Sequence, residues 1–137
     1  MLINHKKRAQ QLIAFDGMER RRGITPTDID GFIDYKGKVF VYIEAKLEGA
    51  EFLKGQKLAL ENVVRSHYKA QHKACSIIFR HNTKPEEIIM AKDQYVEEYY
   101  FKFEGKFKWM IPQHQSPTLL QFLDFWEDYC EKEDYNI

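Results

Sequence analysis

Hydrophobic and polar positions along the chain change period several times, and each change marks an element. Near the start, Ala9, Leu12 and Ile13 recur at helical spacing, which predicts a helix over about Asn4 to Phe15. The stretch RRGITPTD interrupts that pattern with Gly23 and Pro26. Two extended runs follow, IDGFIDY and KVFVYIEAK, joined by KGK with Gly37 as the natural turn residue, and together they predict a β-hairpin. After the loop EGAEFLKG, the segment QKLALENVVRSHYKAQH sets Leu60, Val63, Val64, His67 and Tyr68 on one helical stripe. The short apolar run ACSIIF predicts a central strand covered on both faces. A right-handed crossover lays that strand parallel to the strand 39–46.

Beyond Pro85, QYVEEYYFKF and KFKWMI flank EG and predict a second hairpin, rich in aromatic residues. Tyr99, Tyr100, Phe101, Phe103, Phe107 and Trp109 alternate along it. Core packing is the default reading of these rings, with a base-stacking platform or dimer face as the alternative. The last element reads as a helix with Ser116 as N-cap and Pro117 at its first position. Its buried stripe is expected to be Leu119, Leu120, Leu123, Trp126 and Cys130. The predicted order is α-β-β-α-β-β-β-α, an α/β fold with a mixed sheet flanked by helices.

Length narrows this to one domain over residues 1–137, enough for a single core. No window is long and apolar enough for a membrane span, and MLINHKKRAQQ lacks the apolar run of a signal peptide. A soluble, cytoplasmic protein with no membrane partner is the expectation. Formal net charge is zero, so bulk charge does not advertise nucleic acid, but its distribution is uneven. Lys6, Lys7, Arg8, Arg20, Arg21 and Arg22 lie near the start, and Asp124, Glu127, Asp128, Glu131, Glu133 and Asp134 near the end. Such segregation gives either one attractive face for phosphate or two solvated surfaces. Cys75 and Cys130 sit in apolar contexts and read as buried free thiols. His67 falls on an apolar stripe, and His72, His81 and His114 have no metal-ligand spacing. No Gly-rich phosphate loop and no Ser or Cys nucleophile motif is present.

The candidate chemistry is in the first hairpin. Strand alternation points Phe40, Tyr42, Glu44 and Lys46 to one side, with Glu44 and Lys46 roughly 7 Å apart. The facing strand brings Asp28, Asp30 and Asp34. With the turn centred on Gly37, Asp30 and Glu44 are equidistant from it and become cross-strand neighbours. Two carboxylates in that relation call for a cation between them, and Mg²⁺ is commonly held by one or two carboxylates plus water and phosphate oxygens. The competing reading is a strand end at the surface where Glu44 and Lys46 merely pair.

The stretch PTDIDGFIDYKGKVFVYIEAK resembles the motif of the PD-(D/E)XK nuclease superfamily, which includes restriction enzymes, archaeal Holliday-junction resolvases and RecB-type nuclease domains. The resemblance covers about residues 19–64 and is nearest to small phage and bacterial members. It implies a restriction-endonuclease-like fold, an α-β-β-α-β core followed by the C-terminal hairpin and helix. Carried across by position, Asp30 and Glu44 are the metal ligands with the Ala45 carbonyl, and Lys46 is the catalytic lysine. Gln56 corresponds to the Gln that opens the next helix in several branches, and Glu19 is the nearest candidate for a further Glu. The literal Pro-Asp pair is absent, and Asp28 competes with Asp30 for the first ligand role. The implied activity is Mg²⁺- or Mn²⁺-dependent phosphodiester hydrolysis, with branched, nicked or single-stranded DNA as substrate and a homodimer to supply a second cut. The alternatives are a catalytically silent nuclease-fold protein that binds nucleic acid or a protein, and an unrelated α/β binding domain.

Overall fold

Val39, Val41, Cys75 and Ile77 are sealed from solvent and sit on one face of two neighbouring strands, where the largest side chains of the core converge. The computed structural model describes residues 13–133, 135 and 137. The expected first helix falls outside these over residues 4–12, and Ile13 to Phe15, which are described, are not helical. A single 3₁₀ turn at Arg21–Gly23 precedes the sheet.

The sheet is built from β1 (Gly31–Tyr35), β2 (Val39–Leu47), β3 (Lys73–His81), β4 (Val96–Phe103) and β5 (Lys106–Met110), with helix α1 (Lys54–Lys69) between β2 and β3 and α2 (Leu119–Lys132) at the end. The spatial order is β1-β2-β3-β4-β5. The β2–β3 pair is parallel, as the crossover through α1 requires, and the other three pairs are antiparallel. Among the described residues the architecture is therefore a mixed five-stranded sheet with one helix on each face. It follows the expected order from the first hairpin onward.

Each helix covers one face because strand alternation presents apolar side chains to both. On one side Leu60 and Val64 of α1 are buried, Val64 packs with Ala74 and Tyr100, and the Ser76 hydroxyl donates to the Leu60 carbonyl at 2.9 Å. On the other, Phe122, Trp126 and Cys130 of α2 pack on Val41, Ile77 and Phe79. Tyr100 and Phe101 are neighbours in sequence and are both buried, one on each face, and Phe101 meets Trp126 edge-on with centroids 5.2 Å apart. Several rings of the second hairpin are thus core, each worth roughly 1.5–3 kcal/mol of burial. Cys75 and Cys130 are buried free thiols. Among the described residues no helix is long and apolar enough to cross a membrane.

The last helix starts later than expected. Pro117 stays extended because its carbonyl accepts the Val96 N–H at 2.9 Å, and Thr118 bridges to Tyr95. Thr118, not Ser116, is the N-cap, with its hydroxyl accepting the Gln121 N–H and the Gln121 side chain accepting the Thr118 N–H. That shift buries Phe122 and leaves Leu120 half exposed, so Phe122 replaces Leu120 in the stripe. Thr118→Ala should lower unfolding free energy by about 1 kcal/mol. A chemical-denaturation midpoint that does not move would show that the cap does not matter.

Candidate active site

A carboxylate near the middle of a sheet is costly unless something compensates it. Glu44 is such a group: only 5 % of it is exposed, three residues before the exposed end of β2 at Leu47. The first hairpin explains how it meets a second acid. Lys36 and Gly37 both have positive φ, the backbone of a tight hairpin turn, and the Asp34 carboxylate caps that turn by accepting the Gly37 N–H at 2.6 Å. Asp34 is therefore a turn residue. The register set by this turn pairs Gly31 with Ile43, so the next position on each strand is Asp30 and Glu44. Gly31 allows the close approach, since a Cβ there would lie 3.3 Å from that of Ile43.

At this point the ladder ends and a side chain takes over. Asp30 Oδ2 accepts the Ala45 N–H at 2.8 Å, in the place a β1 carbonyl would otherwise occupy. Both competing acids are exposed, and Asp30 is the one that hydrogen-bonds to β2. A strand residue directs its N–H and C=O to the same neighbour, so the Ala45 carbonyl also faces the Asp30 side. Burial, followed by the charge of Asp30, pushes the Glu44 carboxyl up from its ordinary 4.5 to about 7, while Lys46 pulls the other way. Two acids in hydrogen-bonding range with one kept protonated near neutrality form a pair that a cation would relieve.

Lys46 lies two residues on, along the same face. Its Nζ donates to Gln56 Oε1 at 2.8 Å and sits 5.0 Å from the centre of the Phe52 ring. Gln56 is in the first turn of α1, so the β2–α1 connection delivers both partners. Among the described residues Glu44 and Lys46 form no direct ion pair. Phe52 carried no signal in the sequence, because it lies in an aperiodic loop. Arg80, next to Lys46 in register on β3, binds Glu97 at 2.6 Å and reaches the Leu47 carbonyl, tying down the chain that follows β2. Glu19 is exposed, with no hydrogen-bond or ion-pair partner among the described residues.

The same face continues as an aromatic row. Phe40 stacks on His67 at 3.9 Å, Tyr42 shares a hydrogen bond with His67 Nε2 at 2.8 Å, and Phe32 lies over Tyr42 at 5.0 Å. Burial, then the neighbouring His72, lowers the His67 pKa and favours the neutral ring. His67 is thus a packing residue beneath the sheet. An open cleft of about 380 Å³ borders Asp30 and Ala45 but is lined by Ile43, Phe79 and His81 of the opposite face, so the Lys46 amine is not in it.

The donor chemistry suits a hard divalent cation. Two carboxylates and a backbone carbonyl on one side of a strand end leave positions for water and phosphate, as Mg²⁺ requires. Among the described residues no group of three or more His, Cys, Asp or Glu side chains gathers to hold a metal, so a closed cage is not offered. The acidic helix α2 lies on the other face of the sheet, tied to β1 by the Tyr35 hydroxyl donating to Glu127 at 2.8 Å. Arg20, Arg21 and Arg22 are exposed just before β1, and Lys6, Lys7 and Arg8 are outside the described residues. Comparison of the chain with protein-family models, curated proteins and solved structures finds no match.

Gln56→Ala should leave Lys46 charged but loosely placed. Its expected effect on any Lys46-dependent reaction is about a tenfold loss of turnover, with substrate affinity little changed. Equal turnover in single-turnover kinetics would show that Gln56 does not position the amine.

Proposed function

We propose that the protein is a metal-dependent nuclease of PD-(D/E)XK type, hydrolysing phosphodiester bonds in DNA within a restriction-endonuclease-like fold. The observation that carries this reading is the grouping of Asp30, buried Glu44 and the Gln56-held Lys46 at one end of β2. Asp30, Glu44 and the Ala45 carbonyl would hold Mg²⁺ or Mn²⁺, which supplies charge neutralisation at phosphate and activation of water. The raised Glu44 pKa supports this, because the pair carries a proton that a cation replaces.

Lys46 has a separate task. Fixed by Gln56 and the Phe52 face, its ammonium meets the scissile phosphate and stabilises charge that develops in the transition state. The preorganised amine needs no reorganisation when that charge appears. Cations elsewhere position the strand without reading its sequence.

The test is incubation of the protein with plasmid, single-stranded and four-way-junction DNA in Mg²⁺, Mn²⁺ or EDTA. Cleavage that needs the metal and is stopped by EDTA is expected. Metal-independent cleavage or none with any substrate rejects the nuclease reading, and retained binding without cleavage favours the silent nuclease-fold alternative.

A further inference from the structure

A second group of cations lies at the far end of α1, away from Glu44 and Lys46. Arg65, Lys69 and Lys102 line an open pocket of about 340 Å³ together with Tyr68 and Phe107. No acidic side chain lines it, and among the described residues none of the three cations has an ion-pair partner. Two cations elsewhere are paired, Lys57 of α1 with Glu98 at 2.7 Å and Arg80 of β3 with Glu97 at 2.6 Å. Three cations lining one pocket with no carboxylate make it a concentration of positive charge.

Its walls are fixed. Arg65 Nε donates to the Tyr100 hydroxyl at 2.7 Å, and its guanidinium lies 5.1 Å from the Phe107 ring centre. Lys102 approaches the same ring at 5.7 Å, and Tyr68 meets Phe107 edge-on at 5.2 Å. These contacts hold the guanidinium and orient its remaining N–H groups. The Tyr68 hydroxyl is buried and faces the Lys102 backbone, which supplies its neighbouring hydrogen-bonding group. The remaining Arg65 N–H groups and the Lys69 and Lys102 ammonium groups are donors that no carboxylate in the pocket answers.

We infer that this pocket is a phosphate subsite for the nucleic-acid backbone, set apart from the cutting centre. The inference rests on the nuclease reading for its choice of ligand, while the anion-binding chemistry stands on the pocket itself. Phosphate fits because it offers several acceptor oxygens to the free N–H groups of the Arg65 guanidinium and to two ammonium groups. Its distance fits a polynucleotide. Arg65 and Lys69 are on the same helix as Gln56, and at about 1.5 Å per residue they stand roughly 14–20 Å along it. At about 3.4 Å of duplex rise per nucleotide this is roughly four to six nucleotides from the bond that Lys46 addresses. The subsite would anchor a strand, and substrates shorter than that span would not reach it.

The test uses the full chain with Ca²⁺ or EDTA so that binding is read without cleavage. Lys69→Gln/Lys102→Gln changes two exposed side chains, and Arg65→Ala provides a second variant. Fluorescence anisotropy with a 16-nucleotide DNA should show affinity about tenfold lower for either, and a log–log salt slope smaller by about one. A three-nucleotide DNA, which cannot span both sites, should bind wild type more weakly than the 16-mer does. Affinity within twofold and an unchanged slope would overturn the assignment, and so would thymidine monophosphate binding the pocket as tightly as the 16-mer, which would make it a free-nucleotide site. The two readings fail separately: wild type that binds through this pocket but cleaves nothing removes the nuclease, whereas cleavage with indifferent pocket variants removes the subsite.

Discussion

Lys46→Ala is expected to abolish DNA cleavage, by about a thousandfold or more, while DNA affinity stays within about threefold. Its amine is held at the strand end by one hydrogen bond to Gln56 and by the Phe52 ring, and the fold does not depend on it. An interaction made mainly in the transition state lowers turnover when lost, not ground-state binding. Asp30→Asn should also stop cleavage, by a different route. The variant weakens metal binding, so raised Mn²⁺ should restore part of the rate, while no metal concentration restores Lys46→Ala. Single-turnover rates over a Mn²⁺ series separate the two. If wild type cleaves and Lys46→Ala cleaves equally well, the amine has no catalytic part and the proposed mechanism is lost.

The distance between residues and outcome was short in the first hairpin because its physics is local. Gly37 fixes the turn, the turn fixes the register, and the register places Asp30 one step beyond the Gly31–Ile43 pair and beside Glu44. Period-two alternation then puts Lys46 on the Glu44 side. The central strand was legible for a similar reason, since an unbroken apolar run fits a strand with both faces covered, and β3 is buried from Lys73 to Phe79. What the pattern did not disclose depends on partners far away in sequence. Thr118 wins the cap because Pro117 is held by Val96, a pairing no local signal announces. The Arg65, Lys69 and Lys102 pocket needs α1 laid across β4 and β5, so its members look like ordinary surface charges along the chain. Phe52 and the Lys57–Glu98 pair were hidden in the same way.

Glu44→Gln should make the protein inactive and, at alkaline pH without metal, more stable. The sign follows from the direction of the shift. The folded-state carboxyl titrates near 7 against an ordinary 4.5, so below about pH 4.5 it is protonated in both states and costs nothing. Between those values the unfolded chain gives up its proton while the fold keeps it, and stability falls as pH rises. Above about 7 the full cost remains, because a carboxylate is then held in a buried place beside Asp30. Allowing for water that reaches the strand end, that cost is on the order of 1–2 kcal/mol. Gln has no charge to bury, so the variant should match wild type near pH 4 and exceed it at pH 8. Metal should reverse the order, since a cation bound to the ionised pair stabilises the fold in proportion to its occupancy. Adding Mn²⁺ at pH 8 should raise the wild-type melting temperature by several degrees and leave Glu44→Gln unmoved, and the wild-type increment should shrink as pH drops below about 7. Equal melting temperatures for both proteins at pH 4 and pH 8, with and without Mn²⁺, would mean that Glu44 neither strains the fold nor binds metal. Glu44 would then ionise in the fold as it does in the unfolded chain, at no cost to stability.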